Sequence, residues 1–180
     1  MLRGLFGSRP ADRVGGSLFA AVLRQARRPE FYEHGGVPDT LDGRFDMIAL
    51  HLFLVMRHLK GRGEAAEAAA RGLVDALFAD LDASLRELGV GDLAVGKRIR
   101  AMMDGLYGRF DAYDAGLAEA EGGRKLRVAL DNNLFGTVHV PPEALERMAA
   151  YVRREADALA RMPVEALLAG DVRFGPPPAP

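Results

Sequence analysis

The chain has 180 residues, of which 49% are hydrophobic and 27% charged, and its formal net charge is −1. This composition is typical of a single soluble globular domain, and the near-neutral charge excludes a general electrostatic attraction to nucleic acid. Because the sequence contains no cysteine, disulfide bonds, thiol catalysis and thiolate metal sites are also excluded.

The N-terminal residues 1–15 are rich in glycine and arginine, and we expect them to form a flexible segment. The alternative is a weak membrane-surface anchor, since a few apolar side chains could share one face of a short helix. The segment has no continuous apolar stretch of the kind that a signal peptide carries. The longest apolar run, near residues 47–56, is shorter than the roughly 20 residues of a membrane-spanning helix. We therefore expect a cytoplasmic protein.

A helical domain is expected over residues 16–170. Its first helix is predicted from Leu18 to about Arg28, with Ser17 as the N-cap. The segment FYEHGGVPD that follows is expected to be irregular. The domain is followed by a proline-rich tail, residues 171–180, which we expect to bury nothing.

The most apolar helix is predicted over about residues 42–60. Pro38 prevents a helix from running in from upstream, and the side chains of Asp39 and Thr40 can cap the new first turn. Apolar residues then lie on nearly every side of the helix, as expected when other helices surround it. We therefore predict an all-α fold, a single-domain multi-helix bundle around this central helix.

Amphipathic patterns predict further helices in the rest of the chain. The predicted helices are residues 64–88, a long helix from about 92 to 117, the segment KLRVALDNNLFG, residues 143–161 and a short helix after Pro163. The long helix contains Gly105 and Gly108, each of which costs about 1 kcal/mol relative to alanine. Close approach of a neighbouring backbone, or a local bend, would explain these glycines.

Arg44, His51 and His58 are spaced by seven residues and so lie along one stripe of the central helix. Seven residues correspond to roughly 10.5 Å of helix rise, which is too far for both imidazoles to bind one metal ion. We predict a polar seam against another helix. The alternative is a haem- or small-molecule-binding protein that uses His51 and His58. No metal site and no cofactor are predicted.

The sequence shows no arrangement typical of catalysis. The carboxylates of the helix over residues 64–88 lie two turns apart on its polar side, and Ser84 lies inside that helix, where no nucleophile elbow can form. The glycines near Lys97 do not have the spacing of a phosphate-binding loop. These patterns favour a binding protein over an enzyme.

Two features indicate binding surfaces instead. Lys97, Arg98 and Arg100 lie in the first turns of the long helix, where positive charge opposes the helix dipole. An acidic partner, an anionic lipid or Asp92 would offset this cost, unless the side chains simply extend to water. Methionine adapts to varied shapes, so several methionines could line a groove for an apolar peptide or helix, with core filling as the alternative. These methionines are Met47, Met56, Met102 and Met103.

Two long blocks of sequence resemble the ubiquinol–cytochrome c chaperone family. They are FYEHGGVPDTLDGRFDMIALHLFLVMRHLK and ALFADLDASLRELGVGDLAVGKRIRAMMDGLYGRFDAYDAGL, and the resemblance covers about residues 17–161. It implies a non-catalytic, all-helical assembly factor of respiratory complex III that binds newly synthesised cytochrome b. It also implies contact with the cytoplasmic face of the bacterial inner membrane and with the ribosome. Because no mitochondrial presequence is recognisable, we expect the compact bacterial form.

The residues that contact this partner are predicted at the turn before the central helix and along the long helix. The reason is the density of the family's motif there, together with charges whose placement is costly unless something binds them. The predicted contact residues are Tyr32, Pro38, Asp39, Arg44, Phe45, Asp46, Lys97, Arg98, Arg100, Tyr107 and Arg109. The alternative for the turn is a purely structural clasp in which Asp39 or Asp46 pairs with Arg44.

Overall fold

The computed structural model describes residues 10–119 and 123–179, which form eight α-helices and no β-strand. The helices are α1 (Pro10–Ala26), α2 (Glu30–Glu33), α3 (Leu41–Leu59), α4 (Glu64–Glu87), α5 (Asp92–Leu117), α6 (Arg124–Leu134), α7 (Pro142–Arg161) and α8 (Val164–Leu168). The predicted all-α bundle is confirmed. In this part of the chain no helix is long and apolar enough to cross a bilayer. The membrane anchor considered above falls largely on residues 1–9, outside the described residues.

The predicted central helix is α3, which packs against α1, α4, α5, α6 and α7. Its residues are buried on every side, and Met47 and Val55 have no exposed surface. The first turn is capped by Thr40, whose hydroxyl accepts a hydrogen bond from the backbone N–H of Gly43 at 3.1 Å. Asp39, the other predicted cap, forms an ion pair described below. The position and surroundings of this helix therefore agree with the sequence pattern.

The helix α1 begins earlier than predicted, at Pro10 instead of Leu18. The expectation of a flexible segment over residues 1–15 is therefore wrong for its last part. The cause is close packing of two helices: a Cβ atom on Gly15 would lie 2.2 Å from the carbonyl carbon of Gly72 in α4. The two glycines let the backbones of α1 and α4 meet, and this contact orders the start of α1.

The expectation that the C-terminal segment, residues 171–180, buries nothing is wrong. Pro177 and Pro178 are buried against the bundle. The backbone N–H of Gly175 donates a hydrogen bond to Oε2 of Glu155 in α7 at 2.8 Å, and Glu155 is itself only 1% exposed. Tertiary contacts therefore fix a segment whose composition is typical of a free tail.

One of the two explanations offered for Gly105 and Gly108 in α5, close approach of a neighbouring backbone, is also wrong. A Cβ atom on Gly105 would meet only the guanidinium of Arg109, at 2.5 Å from Nη1, and one on Gly108 would meet no described atom within 4 Å. The close helix contact of α5 is instead at Gly116, where a Cβ would lie 2.6 Å from the Cα of Leu126 in α6. The space at Gly105 is used by an arginine side chain of the same helix.

Candidate partner-binding site

An ion pair joins the first half of α3 to α5. The Nη2 atom of Arg109 lies 2.9 Å from Oδ1 of Asp46, and the side chains are only 24% and 14% exposed, respectively. The contact lacks the alignment of a hydrogen bond. Burial raises the pKa of Asp46 to about 6, although the charge of Arg109 acts in the opposite direction. The Arg109 guanidinium also lies 5.8 Å from the centroid of the Phe45 ring. Three predicted contact residues therefore form one cluster.

The turn before α3 is held by its own side chains. The Nε atom of Arg44 donates a hydrogen bond to Oδ1 of Asp39 at 2.6 Å, as the clasp alternative predicts, and both side chains are more than half exposed. The hydroxyl of Tyr32 donates a hydrogen bond to the carbonyl oxygen of Ala26 at 2.7 Å, and burial raises the pKa of Tyr32 to about 12. Pro38 is partly buried. Three of the predicted contact residues, Tyr32, Asp39 and Arg44, thus have structural roles here, although Asp39 and Arg44 remain accessible.

An open groove of about 310 Å³ lies between α3, α4 and α5. The ring centroids of Phe53 and Phe110 are 5.6 Å apart, and those of Tyr107 and Phe110 are 6.2 Å apart. Because Tyr107 is 59% exposed, this aromatic surface reaches solvent. We call it the aromatic groove, and it is lined by Phe53, Met56, Arg57, Leu59, Lys60, Glu67, Ala70, Tyr107, Phe110, Asp111 and Asp114.

The rim of the aromatic groove is polar. The Nε atom of Arg57 on α3 donates a hydrogen bond to Oδ1 of Asp114 on α5 at 2.8 Å, which ties the two walls together. Lys60, Glu67 and Asp111 are exposed at the rim. An apolar centre surrounded by charged residues is the usual anatomy of a protein–protein interface. The groove can therefore receive apolar side chains of a partner.

A second groove, of about 420 Å³, lies between α5 and α6. It is larger, but its lining consists mainly of small and polar side chains, such as Ala112, Ala115, Asn132 and Asn133. Val128 is its one large apolar residue and is 50% exposed. Because aromatic and methionine side chains contribute most to apolar recognition, the smaller aromatic groove is the better candidate for a partner-binding site.

The basic residues Lys97, Arg98 and Arg100 lie apart from this site. All three are exposed, and none forms a side-chain hydrogen bond or ion pair with another described residue. At 1.5 Å of rise per residue they lie roughly 14–18 Å along α5 from Arg109. Asp92, one of the three groups considered for offsetting their charge, pairs with Arg86 instead. The predicted contact residues therefore lie in two separate regions. One is the basic start of α5, and the other comprises the turn before α3, the Asp46–Arg109 cluster and the aromatic groove.

A buried hydrogen-bond network surrounds His51. Its Nδ1–H donates to the carbonyl oxygen of Met47 at 2.8 Å, so Nε2 accepts from the hydroxyl of Tyr151 in α7 at 2.6 Å. The amide nitrogen of Gln25 in α1 donates to the same hydroxyl and to the carbonyl oxygen of Gly175. Burial lowers the pKa of His51 to about 4. The network therefore joins α1, α3, α7 and the C-terminal segment around a neutral imidazole.

The predicted polar seam is confirmed for both histidines of α3. Nε2 of His58 lies 3.0 Å from the carbonyl oxygen of Met162, directly after α7. Arg44 does not take part, because it pairs with Asp39. Both ring nitrogens of His51 are engaged and its side chain is 0% exposed, which argues against the haem-ligand alternative. Across the described ranges no three potential metal ligands lie together.

Sequence reasoning identified Tyr107 but missed most of the aromatic groove. Phe53, Met56 and Lys60 recur at helical spacing on α3, and Phe110 follows Tyr107 by three residues. This spacing was a usable signal, but an apolar stripe on a helix normally faces the core. Of the methionines proposed for a groove, Met56 lines it. Met47 and Met103 are buried in the core, as the alternative predicts.

Comparison with known proteins places the chain in a family. The profile described as ubiquinol–cytochrome c chaperone matches residues 33–174. A crystal structure of the Cbp3 homolog from Brucella abortus is 36% identical, with a TM-score of 0.81 over 93% of this chain and 91% of that chain.

Curated relatives are ubiquinol–cytochrome c reductase complex assembly factors 1. The Xenopus laevis protein is 28% identical over 160 residues, which are 88% of this chain and 79% of the relative. The human protein is 26% identical over 160 residues, and the match covers 53% of its length. The chain thus spans about half the length of the human relative. The family profile matches most of the chain, and a related crystal structure aligns with nearly all of it. The chain therefore belongs to the ubiquinol–cytochrome c chaperone family, a family of chaperones rather than of enzymes.

Proposed function

We propose that this protein binds newly synthesised cytochrome b through the aromatic groove and holds it for the assembly of respiratory complex III. The names of its relatives support the assembly role. A carrier for a membrane-embedded subunit has to cover apolar surface before that surface reaches the bilayer, and this requires no catalytic group. The aromatic groove, with an apolar centre and a charged rim, is the observation that carries the proposal.

The size of the groove limits what it holds. Its volume of about 310 Å³ is at the lower end of the range for ligand pockets. It therefore takes a few side chains from one face of a client helix and not the whole circumference. Aromatic residues carry much of the energy at such contacts, so Tyr107 is the expected anchor. The cluster of Phe45, Asp46 and Arg109 fixes α5 against α3 and supports the groove wall.

A co-purification experiment tests this proposal. The full chain would be expressed with cytochrome b, purified in detergent and analysed for bound client. We expect the amount of cytochrome b retained by the double variant Met56→Glu/Tyr107→Ser to fall by a factor of about ten or more, because the substitutions replace two large lining side chains of the groove with polar ones. The matched control is Val128→Ser, which removes a half-exposed apolar side chain from the second groove. Unchanged retention in a folded double variant would contradict the proposal.

We also propose that the protein acts at the cytoplasmic face of the bacterial inner membrane, because its client inserts there. Contact with the ribosome would allow capture during synthesis. The turn before α3 is a further proposed client contact, through the accessible side chains of Asp39 and Arg44. A photo-crosslinker at Arg44 tests that part separately: absence of an adduct with cytochrome b would remove the turn from the site.

A further inference from the structure

The outer face of α5 carries one continuous ridge of side chains. Leu93, Arg100, Tyr107 and Asp114 recur every seven residues, so they lie nearly in line on a helix with 3.6 residues per turn. Tyr107 and Asp114 line the aromatic groove, whereas Leu93, at the start of the helix, is 99% exposed. The ridge therefore connects an uncovered leucine near one end of α5 to the groove near the other end.

The free charges of this ridge are arranged in a basic half and an acidic half. Four charged ridge residues, spaced by three or four from their ridge neighbours, are exposed and form no side-chain hydrogen bond or ion pair with another described residue: Lys97, Arg100, Asp104 and Asp111. Asp114 is paired with Arg57. Arg98 lies about 140° around the helix from Leu93 and so belongs to another face. Two free cations in the first half of the ridge therefore balance two free carboxylates in the second half.

This order of charges is complementary to itself. When a second copy of α5 lies antiparallel to the first, the basic half of each ridge faces the acidic half of the other. A twofold axis midway between Arg100 and Asp104 brings each Arg100 opposite Asp104 of the second copy, and every contact then occurs twice. Lys97 lies opposite Tyr107 in the same register, which suits a cation–π contact. A parallel copy would instead place like charges together, which is unfavourable.

The same register brings the exposed leucine to the aromatic groove. Leu93 lies nine residues before the axis and Asp111 lies nine residues after it, so these two residues face each other across the two copies. Asp111 lines the groove together with its neighbour Phe110. The groove, of about 310 Å³, has room for one leucine side chain. Charge pairing and apolar burial are therefore satisfied by a single arrangement of two α5 helices.

From this double match we infer that two copies of the chain associate antiparallel through the α5 ridge, with Leu93 of each copy in the aromatic groove of the other. Such pairing covers apolar surface that is otherwise exposed. Pairing itself does not depend on what the client is. Its consequence, that a second copy and the client exclude each other from the groove, rests on the proposed function.

Sedimentation equilibrium of the full chain without client tests the pairing. The variants Arg100→Asp and Asp104→Arg should each raise the dissociation constant of the dimer about tenfold or more, because like charges then meet across the axis. An equimolar mixture of the two variants should recover the dimer, because each supplies the charges that the other lacks. The matched control is Asp131→Arg, a charge reversal at an exposed position of α6, which should leave the dissociation constant unchanged.

Disulfide trapping tests the position of Leu93, since the chain has no cysteine of its own. The variant Leu93→Cys/Asp111→Cys should form a covalent dimer on mild oxidation, whereas Leu93→Cys/Val128→Cys should not. Within one copy, residues 93 and 111 lie roughly 27 Å apart along α5, which is too far for an internal disulfide.

Three results would overturn the inference: a monomeric unmodified chain, a mixture of the two charge variants that stays monomeric, or equal trapping of both cysteine variants. None of these measurements uses cytochrome b, so they can fail while the co-purification experiment succeeds, and the reverse. The purified complex with cytochrome b should contain one copy of the chain by mass. Two copies in that complex would overturn the mutual exclusion at the groove.

Discussion

Arg109 reaches Asp46 by folding back over Gly105, and the resulting ion pair of 2.9 Å connects α5 to α3. The missing side chain at Gly105 provides the space for the guanidinium, since a Cβ atom there would lie 2.5 Å from Nη1 of Arg109. Gly105 therefore serves a structural purpose inside α5, which its low helix propensity alone does not reveal. The pair sits on the same two helices that form most of the aromatic groove.

The first prediction concerns the two glycines inside α5. Gly108→Ala should stabilise the fold by about 0.5–1 kcal/mol, because alanine favours a helix and meets nothing within 4 Å. Gly105→Ala offers the same helix gain but displaces Arg109, so we expect no net stabilisation. Urea unfolding of both variants measures the difference. The pKa of Asp46 should also rise further above about 6 in Gly105→Ala, because the attraction of Arg109 becomes weaker.

Equal stabilisation by both alanine substitutions, with no change in the titration of Asp46, would show that the pair does not depend on Gly105. Titration of the side-chain carboxyl carbon by NMR gives the second readout. It separates an electrostatic effect from a change in helix propensity, which would move the unfolding free energy alone.

The second prediction concerns the pH dependence of stability. His51 has a pKa of about 4 in the fold against an ordinary 6.5, so the unfolded chain binds more protons between these values and stability rises with pH there. Asp46 has a pKa of about 6 against an ordinary 3.8, so the folded chain binds more protons and stability falls with pH from about 3.8 to 6. The two contributions oppose each other in the range where they overlap.

When one of the two groups is replaced, the pH dependence of stability contributed by the other should become visible. In His51→Gln the free energy of unfolding should rise less, or fall more, between pH 4 and 6.5 than in the unmodified chain. In Asp46→Asn it should rise more steeply between pH 4 and 6. Urea unfolding at several pH values measures both slopes, and His34→Gln controls for the loss of an exposed imidazole. Parallel pH profiles for all variants would refute the assignment.

The third prediction concerns the contact between α1 and α4. Gly15→Ala should destabilise the fold by about 2 kcal/mol or more, because its Cβ would lie 2.2 Å from the backbone of Gly72. Gly16→Ala is the matched control on the same helix, since its Cβ would meet nothing within 4 Å. Thermal unfolding compares them. A Gly15→Ala variant as stable as Gly16→Ala would mean that the two helices do not approach so closely.

The sequence predicted the helices well wherever local signals were strong. The apolar pattern on all sides of α3 and the capping role of Thr40 follow directly from residue order. The seam formed by His51 and His58 could be inferred from their spacing, because two polar groups on an apolar helix need partners. These patterns alone indicated only a binding protein, and the family resemblance added the more specific class of an assembly factor.

The remaining features depend on contacts between distant parts of the chain. The order of the C-terminal segment arises from Glu155, which lies 20 residues away from Gly175, and no local pattern encodes that contact. The start of α1 depends likewise on Gly72. Most of the aromatic groove was missed because Phe53 and Phe110 have the spacing of core residues, and they line an open groove only because of how α3, α4 and α5 pack together. The partner contact residues were predicted from motif density instead, and that set therefore covers more of the surface than the groove does.

The most direct test of the account is photo-crosslinking in cells that synthesise cytochrome b. A crosslinking amino acid would be placed at Tyr107 in the aromatic groove and, as a control of similar exposure, at Val128 in the second groove. The account predicts an adduct with newly synthesised cytochrome b from Tyr107 and little or none from Val128. No adduct from Tyr107, or equal adducts from both positions, would contradict the claim that the aromatic groove holds the client.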